Sequence, residues 1–447
     1  MPVRKKYNLS YTQISTLSFL GIILCGTLLL MLPISSREGE ITPFINAFFT
    51  ATSATCVTGL VVYDTYQYFS TFGQIVILLL IQIGGLGFMT IATLFSLMLR
   101  RKIGLKERGF LKESVSTIQL GGVVRLTKHI LIGTLMIEGL GALLLTLRFI
   151  PEQGFGRGLY YGIFHAVSAF CNAGFDLMGC YEPYSSLTRY SSDFLVNGVI
   201  MSLIVIGGIG FLVWEDIYKH HFKISKYQLH TKIVLVTTGA LIGGAAILFY
   251  IMERNNTLVG MSPLETILVT LFQVITPRTA GFNTIDTAAI TESTSLLTIV
   301  LMMIGGSPGS TAGGIKSTTL VVLLLSFIAS LRHSEDLNIF GRRLEHDIAQ
   351  RAHGVITIYL MGAVMAAMTI CFLQPLPLTD VFFEVFSAIG TVGMSKGITR
   401  DLTSLSRLII ILLMFCGRVG SLSFALAFVS KKTYVPVRQP VEKITIG

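Results

Sequence analysis

Four short stretches, each ending in a glycine followed by a large apolar residue, recur along this 447-residue chain at nearly even spacing. They are Ala54-Thr55-Cys56-Val57-Thr58-Gly59-Leu60, Ala169-Phe170-Cys171-Asn172-Ala173-Gly174-Phe175, Pro277-Arg278-Thr279-Ala280-Gly281-Phe282 and Ser387-Ala388-Ile389-Gly390-Thr391-Val392-Gly393-Met394. Their final glycines lie 115, 107 and 112 residues apart, which predicts one structural unit used four times. Each stretch follows a short apolar segment and sits between longer ones. The fold must therefore give four equivalent, non-helical segments equivalent places.

Just over half of the residues are apolar, only 13% are charged, and apolar runs near 20 residues recur. Such runs are long enough to cross a bilayer as helices, so the chain reads as an all-α polytopic membrane protein. Arg4, Lys5 and Lys6 precede an apolar run, but Leu28–Pro33 offers no small-residue cleavage site for a signal peptide. The net charge of +10 is unevenly placed: 23 of the 34 Lys and Arg fall in the N-terminal tail, 100–128, 214–232, 331–354 and the C-terminal tail. These segments alternate with the glycine stretches. The asymmetry puts both termini in the cytoplasm and the glycine stretches toward the outside of a cell membrane. Nucleic-acid binding is thereby excluded as the reason for the charge. The six cysteines show no metal-binding spacing and read as reduced thiols.

Within each unit the expected order is helix, re-entrant half-helix, glycine loop, helix. The long helices fall near 14–32 and 72–99, 129–148 and 194–213, 233–252 and 294–330, and 355–373 and 405–429. The half-helices fall near 42–54, 158–169, 262–275 and 378–388, with Pro43 and Pro263 where proline suits a helix start. The units divide the chain at 1–100, 101–214, 215–332 and 333–447. A second landmark recurs in the later helices, Gly84-Gly85, Gly207-Gly208, Gly305-Gly306 and Gly417, at 25, 33, 24 and 24 residues past the stretch glycine.

Non-helical backbone at membrane depth is tolerated only inside protein or lining a watery cavity. Four copies around a central pore would point carbonyl oxygens inward to replace a cation's hydration shell. Glycine permits the positive φ this needs. The half-helices would aim the negative ends of their dipoles at the same place. The plainer alternative is that the glycines mark helix ends or close helix contacts, as they often do in membranes.

Thr391-Val392-Gly393 resembles the start of a potassium-channel filter, and the whole chain resembles the Trk/Ktr/HKT superfamily of potassium and sodium transporters. The resemblance implies an ion site made by the backbone of Thr55, Cys56, Val57, Thr58 and Gly59; Cys171, Asn172, Ala173 and Gly174; Arg278, Thr279, Ala280 and Gly281; and Gly390, Thr391, Val392 and Gly393. Glycine at all four key positions is the family's potassium-type pattern. Full channel filters carry a second glycine two residues later, where this chain has Val61, Asp176, Asn283 and Ser395. The implied cargo is K+, with possible Na+ dependence and no cofactor in this chain. The implied partners are a second copy in a homodimer, membrane lipids and a KtrA-like cytosolic ring of RCK nucleotide-binding subunits. Arg100–Lys128 and Arg332–His353 are candidate contacts for such a regulator, and Tyr434–Gly447 for the dimer.

The second helix of unit three contains Gly305-Gly306-Ser307-Pro308-Gly309-Ser310-Thr311-Ala312-Gly313-Gly314-Ile315-Lys316-Ser317-Thr318-Thr319, a run absent from its sister helices. Its propensities oppose a continuous helix, which predicts an irregular loop lining the pore. A Walker A motif fails because Ile315 stands where lysine is required. The family resemblance implies a gate here. Lys316 is expected to reach the cytoplasmic interface rather than plug the pore. Arg418 lies inside an apolar helix, where a charge calls for a partner or a cavity. By resemblance it bonds loop carbonyls; the structural alternative is pairing with Glu138. A voltage-gated channel is disfavoured because no apolar segment carries arginine at every third position. An inverted-repeat secondary transporter is disfavoured because all units share one orientation, and a pump subunit would need a catalytic partner. His165, Glu138 and Glu384 form no catalytic spacing, which argues against an enzyme.

Overall fold

The computed structural model describes residues 11–87 and 123–420, apart from residues 222, 335 and 346. Residues 100–122 of the expected basic segment 100–128, both chain tails and the distal parts of the helices placed at 72–99 and 405–429 lie outside the described residues.

Unit one runs as a helix Tyr11–Met31, a half-helix Phe44–Thr55 and a second helix Thr71–Leu86. Unit three has Leu229–Glu253, Pro263–Ile275 and a second helix in two pieces, Glu292–Met303 and Ser317–Leu331. Unit four has Ile348–Leu373, Leu378–Gly390 and Ser404–Val419. Pro43 and Pro377 cap two half-helices and Pro263 opens the third, where a missing N–H costs nothing. Unit two has the two helices expected within the helical run Val123–Phe170, parted at Gly154 (φ +77°, ψ 169°) just after Pro151. A left-handed glycine replaces the connecting loop.

The second helices follow a rule stricter than the sequence spacing suggests. Each starts at a side-chain cap: Ser70, Asp193, Thr291 and Thr403 accept the backbone N–H of Gly73, Val196, Thr294 and Ser406. Gly84, Gly207, Gly305 and Gly417 each lie 14 residues past that cap. The extra residues of unit two sit in its outer loop, with one-turn helices at Met178–Cys180 and Thr188–Tyr190. The expectation that only unit three breaks its second helix is corrected. The helices of units one, two and four end at Gly87, Gly210 and Gly420 with φ of +82°, +95° and +93°, at the level of Pro308 in unit three. At Gly210 the chain turns by 95° into Phe211–His220. Sixteen helical residues rise only about 24 Å, less than the ~30 Å of a hydrocarbon core.

Four described helices, Gln13–Met31, Val124–Phe170, Leu229–Glu253 and Ile348–Leu373, are long and apolar enough to cross a membrane, and their outer faces carry exposed Leu24, Leu143, Ile247 and Met365. The chain is a multi-pass membrane protein. The unit-four second helix packs on the unit-one half-helix, the unit-two second helix on the unit-three half-helix, and the unit-three second helix on the unit-four half-helix. The unit-one second helix meets the kinked helix of unit two, which closes the ring. Phe49, Phe164, Phe272 and Phe383, one per half-helix, are fully buried. Lipid tails are as apolar as these rings, so close fit and polar pairing hold the bundle rather than escape from water. A two-stranded hairpin, Asn338–Ile339 with Arg342–Arg343, lies in the segment joining units three and four.

Candidate functional site

The end of each half-helix sets the conformation of its glycine stretch. Two residues before each final glycine the backbone is left-handed: Val57 (φ +57°), Asn172 (+60°), Thr279 (+74°) and Thr391 (+52°). The glycines follow at +94°, +70°, +83° and +95°. Three of the four non-glycine residues are β-branched, for which this region is costly, and such strain persists where the surroundings over-determine it. Hydroxyls at the helix ends supply part of that fixing. Gly59 and Gly393 donate their N–H to Ser53 and Ser387 Oγ, both at 3.1 Å. Ser168 and Thr276 donate to the Phe175 and Phe282 carbonyls, both at 2.7 Å.

The four glycines form a closed ring. A Cβ built on Gly59 would overlap the Ala173 carbonyl oxygen. One on Gly174 would lie 2.6 Å from Ala280 O, and one on Gly281 2.5 Å from Val392 O. One on Gly393 would overlap Thr58 O, returning to unit one. Each glycine thus abuts the carbonyl just before the glycine of the next unit. Every residue expected to form the ion site is buried at this ring except Gly393, which is half-buried. The buried Thr55, Thr58 and Thr391 hydroxyls have no protein partner. The Arg278 guanidinium turns back to the first helix of its unit, where Nη2 donates to Thr238 Oγ1 at 3.3 Å. Cys56 and Cys171 are unpaired thiols.

Outside the ring lies a cavity of about 320 Å³ touched by all four glycines. Asp64, Asp176 and Asp286 line it, against Lys396 and Arg400. Lys396 is engaged by Asp380 at 3.3 Å and Glu292 at 3.6 Å. Burial, and then the Asp64 carboxylate, push Asp176 up to about 7.

The landmark glycines carry the second helices onto the ring. A Cβ on Gly84, Gly207 or Gly417 would overlap the carbonyl of Thr55, Phe170 or Ile389, each four residues before a ring glycine. In unit three the contact differs, because Gly305 faces Gly313 O. The chain from Ile304 to Lys316 leaves the helix and folds across the bundle. Gly305 N–H donates to Ile315 O at 2.8 Å and Ser317 N–H to Gly306 O at 3.0 Å, closing its base. Ser307 N–H donates to Gly208 O (2.9 Å), Thr311 Oγ1 to Phe170 O (3.0 Å), and Phe211 N–H to Gly309 O (2.8 Å), fastening the loop to unit two. A Cβ on Gly313 would overlap Thr391 Oγ1, so Gly313 lies against the start of the fourth stretch.

Arg418 donates Nη1 to Thr311 O and Nη2 to Gly84 O and Gly85 O, joining the loop to the second helix of unit one. Glu138 instead accepts from Gln82 Nε2 at 3.1 and 3.2 Å, so the alternative Arg418–Glu138 pair is not formed. Lys316 does not run to the interface as expected. Its ammonium donates to Ala312 O at 2.7 Å and lies 3.4 Å from Gly313 O, because the loop curls its own carbonyls within reach.

Four half-helices delivering left-handed glycine loops to one closed ring define a four-repeat pore-loop membrane protein. The chain belongs to the TrkH family of cation transport proteins, whose family model matches residues 10–434. The potassium/sodium uptake protein NtpJ of Enterococcus hirae is 41% identical over 454 residues, covering 100% of this chain and 99% of that protein. The Ktr system potassium uptake protein B of Bacillus subtilis is 41% identical over 437 residues, covering 97% and 96%. The solved potassium transporter TrkH of Vibrio parahaemolyticus superposes with a TM-score of 0.73 over 96% of this chain and 87% of that one. At 17% identity that likeness bears on the fold alone.

Proposed function

We propose that this protein takes up potassium through its central ring, with backbone carbonyls of the four glycine stretches as the filter and residues 304–316 as an intramembrane gate. The observation that carries this is the closed ring of left-handed glycines, each against its neighbour's carbonyl. Oxygens held in such a ring can replace a monovalent cation's hydration shell, and the half-helix C-termini add negative potential. The names of the two 41%-identical relatives support potassium as cargo. A less selective potassium/sodium transporter is the second reading, favoured by the single glycine per stretch and by the relative named for both ions. The gate is supported by the position of Gly313 against Thr391 and by the Arg418 and Lys316 bonds that hold the loop.

The chain is placed in the cell membrane with both termini in the cytoplasm, on the distribution of its lysines and arginines. We take it to work as a homodimer on a KtrA-like cytosolic ring of RCK subunits, as the resemblance implies. Expression in a strain lacking potassium uptake, grown at low potassium, is the test. Growth should be restored by the native chain and not by Gly393→Ser. Equal rescue by both would remove the filter. Potassium and sodium fluxes in vesicles, with and without the RCK ring, then separate the two cargo readings and the regulation.

A further inference from the structure

Each half-helix ties the outer limb of its own glycine stretch back to itself through one polar side chain. In unit one Asn46 Nδ2 donates to the Tyr63 hydroxyl at 2.7 Å, and in unit three Gln273 Nε2 donates to Thr284 Oγ1 at 3.3 Å. In unit two the Leu177 N–H donates to His165 Nε2 at 3.3 Å, while Nδ1 of that ring bonds Tyr161 O at 2.7 Å. Unit four uses a carboxylate. Glu384, only 1% exposed, accepts from Thr399 Oγ1 at 2.5 Å and from Ser395 Oγ at 2.7 Å, and the two hydroxyls lie 3.0 Å apart.

Units one and three make this tie with a neutral amide and a single bond, whereas Glu384 makes two bonds to residues two and six positions past Gly393. Bonds to a carboxylate are the stronger kind. Ser395 is also the junction to the neighbouring unit, since its carbonyl accepts from Thr287 Oγ1 at 2.6 Å; within unit four its hydroxyl accepts from the Gly397 N–H at 2.9 Å. Gly393, Ser395 and Thr399 all line the outer mouth, while Glu384 does not. The stretch lacks a second glycine at 395, so the segment leaving Gly393 is held by side chains instead.

We infer that Glu384 is a positioning residue for cation selection: through Ser395 and Thr399 it fixes the outer end of Thr391–Gly393, and so sets how strongly potassium is preferred over sodium. This rests on the filter reading above. The charge never touches the ion, and it acts by holding a backbone whose oxygens do. Asp380, one turn earlier on the same half-helix, is itself paired with Lys396, which Glu292 also holds.

The test is the potassium-to-sodium permeability ratio of the full-length protein in proteoliposomes. A lost hydrogen bond to a charged group amounts to about tenfold in an equilibrium, so Glu384→Ala should lower the ratio about tenfold. Glu384→Gln keeps one acceptor oxygen and should fall about threefold, as should Thr399→Val. The Glu384→Ala/Thr399→Val pair should be no worse than Glu384→Ala alone, because Glu384→Ala already removes the bond that Thr399→Val removes. If Glu384→Ala does not yield folded protein, Thr399→Val and Ser395→Ala at the mouth carry the measurement. Gly393→Ser serves as the control. Should it alter the ratio while none of the Glu384, Ser395 and Thr399 variants does, Glu384 has no such role and the filter stands. Additive losses in the double variant would also overturn the role. If Gly393→Ser leaves the ratio unchanged, the filter reading itself fails.

Discussion

The ring of glycine stretches and the layer just beneath it obey opposite rules. In the ring all four units adopt one conformation, left-handed at Val57, Asn172, Thr279 and Thr391 and again at the glycine two residues on. Beneath it three landmark glycines seat a helix against the carbonyl four residues before a ring glycine, while the fourth, Gly305, seats the loop. Selecting an ion by surrounding it with oxygens rewards equivalence, because each unit supplies one quarter of a coordination shell. Blocking a path needs only one element that crosses it. The broken symmetry in unit three is therefore where control of flow is expected, and the intact symmetry above is where selection is expected.

The strongest way to break this comparison is alanine at the ring. Gly59→Ala, Gly174→Ala, Gly281→Ala and Gly393→Ala each combine a disfavoured positive φ with a methyl driven against a neighbour's carbonyl. Together these should cost about 100-fold or more in potassium uptake. All four should be similarly severe. A single tolerant position, measured by uptake with matched membrane expression, would show that its unit stands outside the filter.

Next in size are changes to the loop. Removing the Arg418 guanidinium deletes the bonds to Thr311 O and to the Gly84 and Gly85 carbonyls. Arg418→Ala should therefore raise potassium flux about tenfold without altering ion preference. Deletion of Gly309–Gly313 should act in the same direction. Flux in reconstituted vesicles that stays unchanged in both variants would remove the loop as a gate.

Lys316 offers a finer cut at the same point. Its bond to Ala312 O holds the curl of the loop from within rather than anchoring it to another unit. Lys316→Met keeps the apolar stem and loses that bond together with the longer one to Gly313 O, so the flux should rise about threefold. An effect as large as that of Arg418→Ala would mean that the loop's own shape, not its anchorage, keeps it closed.

These differences were unequally visible in the sequence. The four-unit grammar was legible because helix length, proline starts and repeated glycines are local signals. The 14-residue register from Ser70, Asp193, Thr291 and Thr403 to the landmark glycines was also present, but the longer outer loop of unit two hid it when spacing was counted from the ring glycine. The breaks at Gly87, Gly210 and Gly420 leave no such signal, because a lone glycine in a membrane helix more often means close approach than a helix end. Arg418 announced that it needed a partner. That the partner is Thr311 O, 107 residues away, depends on how units three and four meet. Lys316 was misplaced because snorkelling is the general habit of lysine near a membrane surface, and nothing in the residue order says that Ala312 O will curl back to meet it.

The smallest expected effect tests whether the equivalence of the units ends at the ring on the outer side too. Two residues past the ring glycines stand Val61, Asp176, Asn283 and Ser395, so only unit two offers a carboxyl there. Asp176 accepts the Met178 N–H at 2.9 Å, and burial, followed by the neighbouring Asp64, lifts it to about 7. Acidifying from pH 8 to pH 6 therefore neutralises one negative charge at the mouth, where it would draw cations in. Uptake at sub-saturating potassium should fall about twofold over that range at low salt, and less at high salt. Folding stability carries the same signature with a definite sign. The folded protein keeps this proton up to about 7, whereas an unfolded aspartate loses it near 4, so Asp176 makes stability decline as pH rises between those values. Asp176→Asn should flatten both profiles. An uptake profile that keeps its slope in Asp176→Asn would assign the pH response elsewhere, and the outer mouth would then be as indifferent to unit two as the ring beneath it.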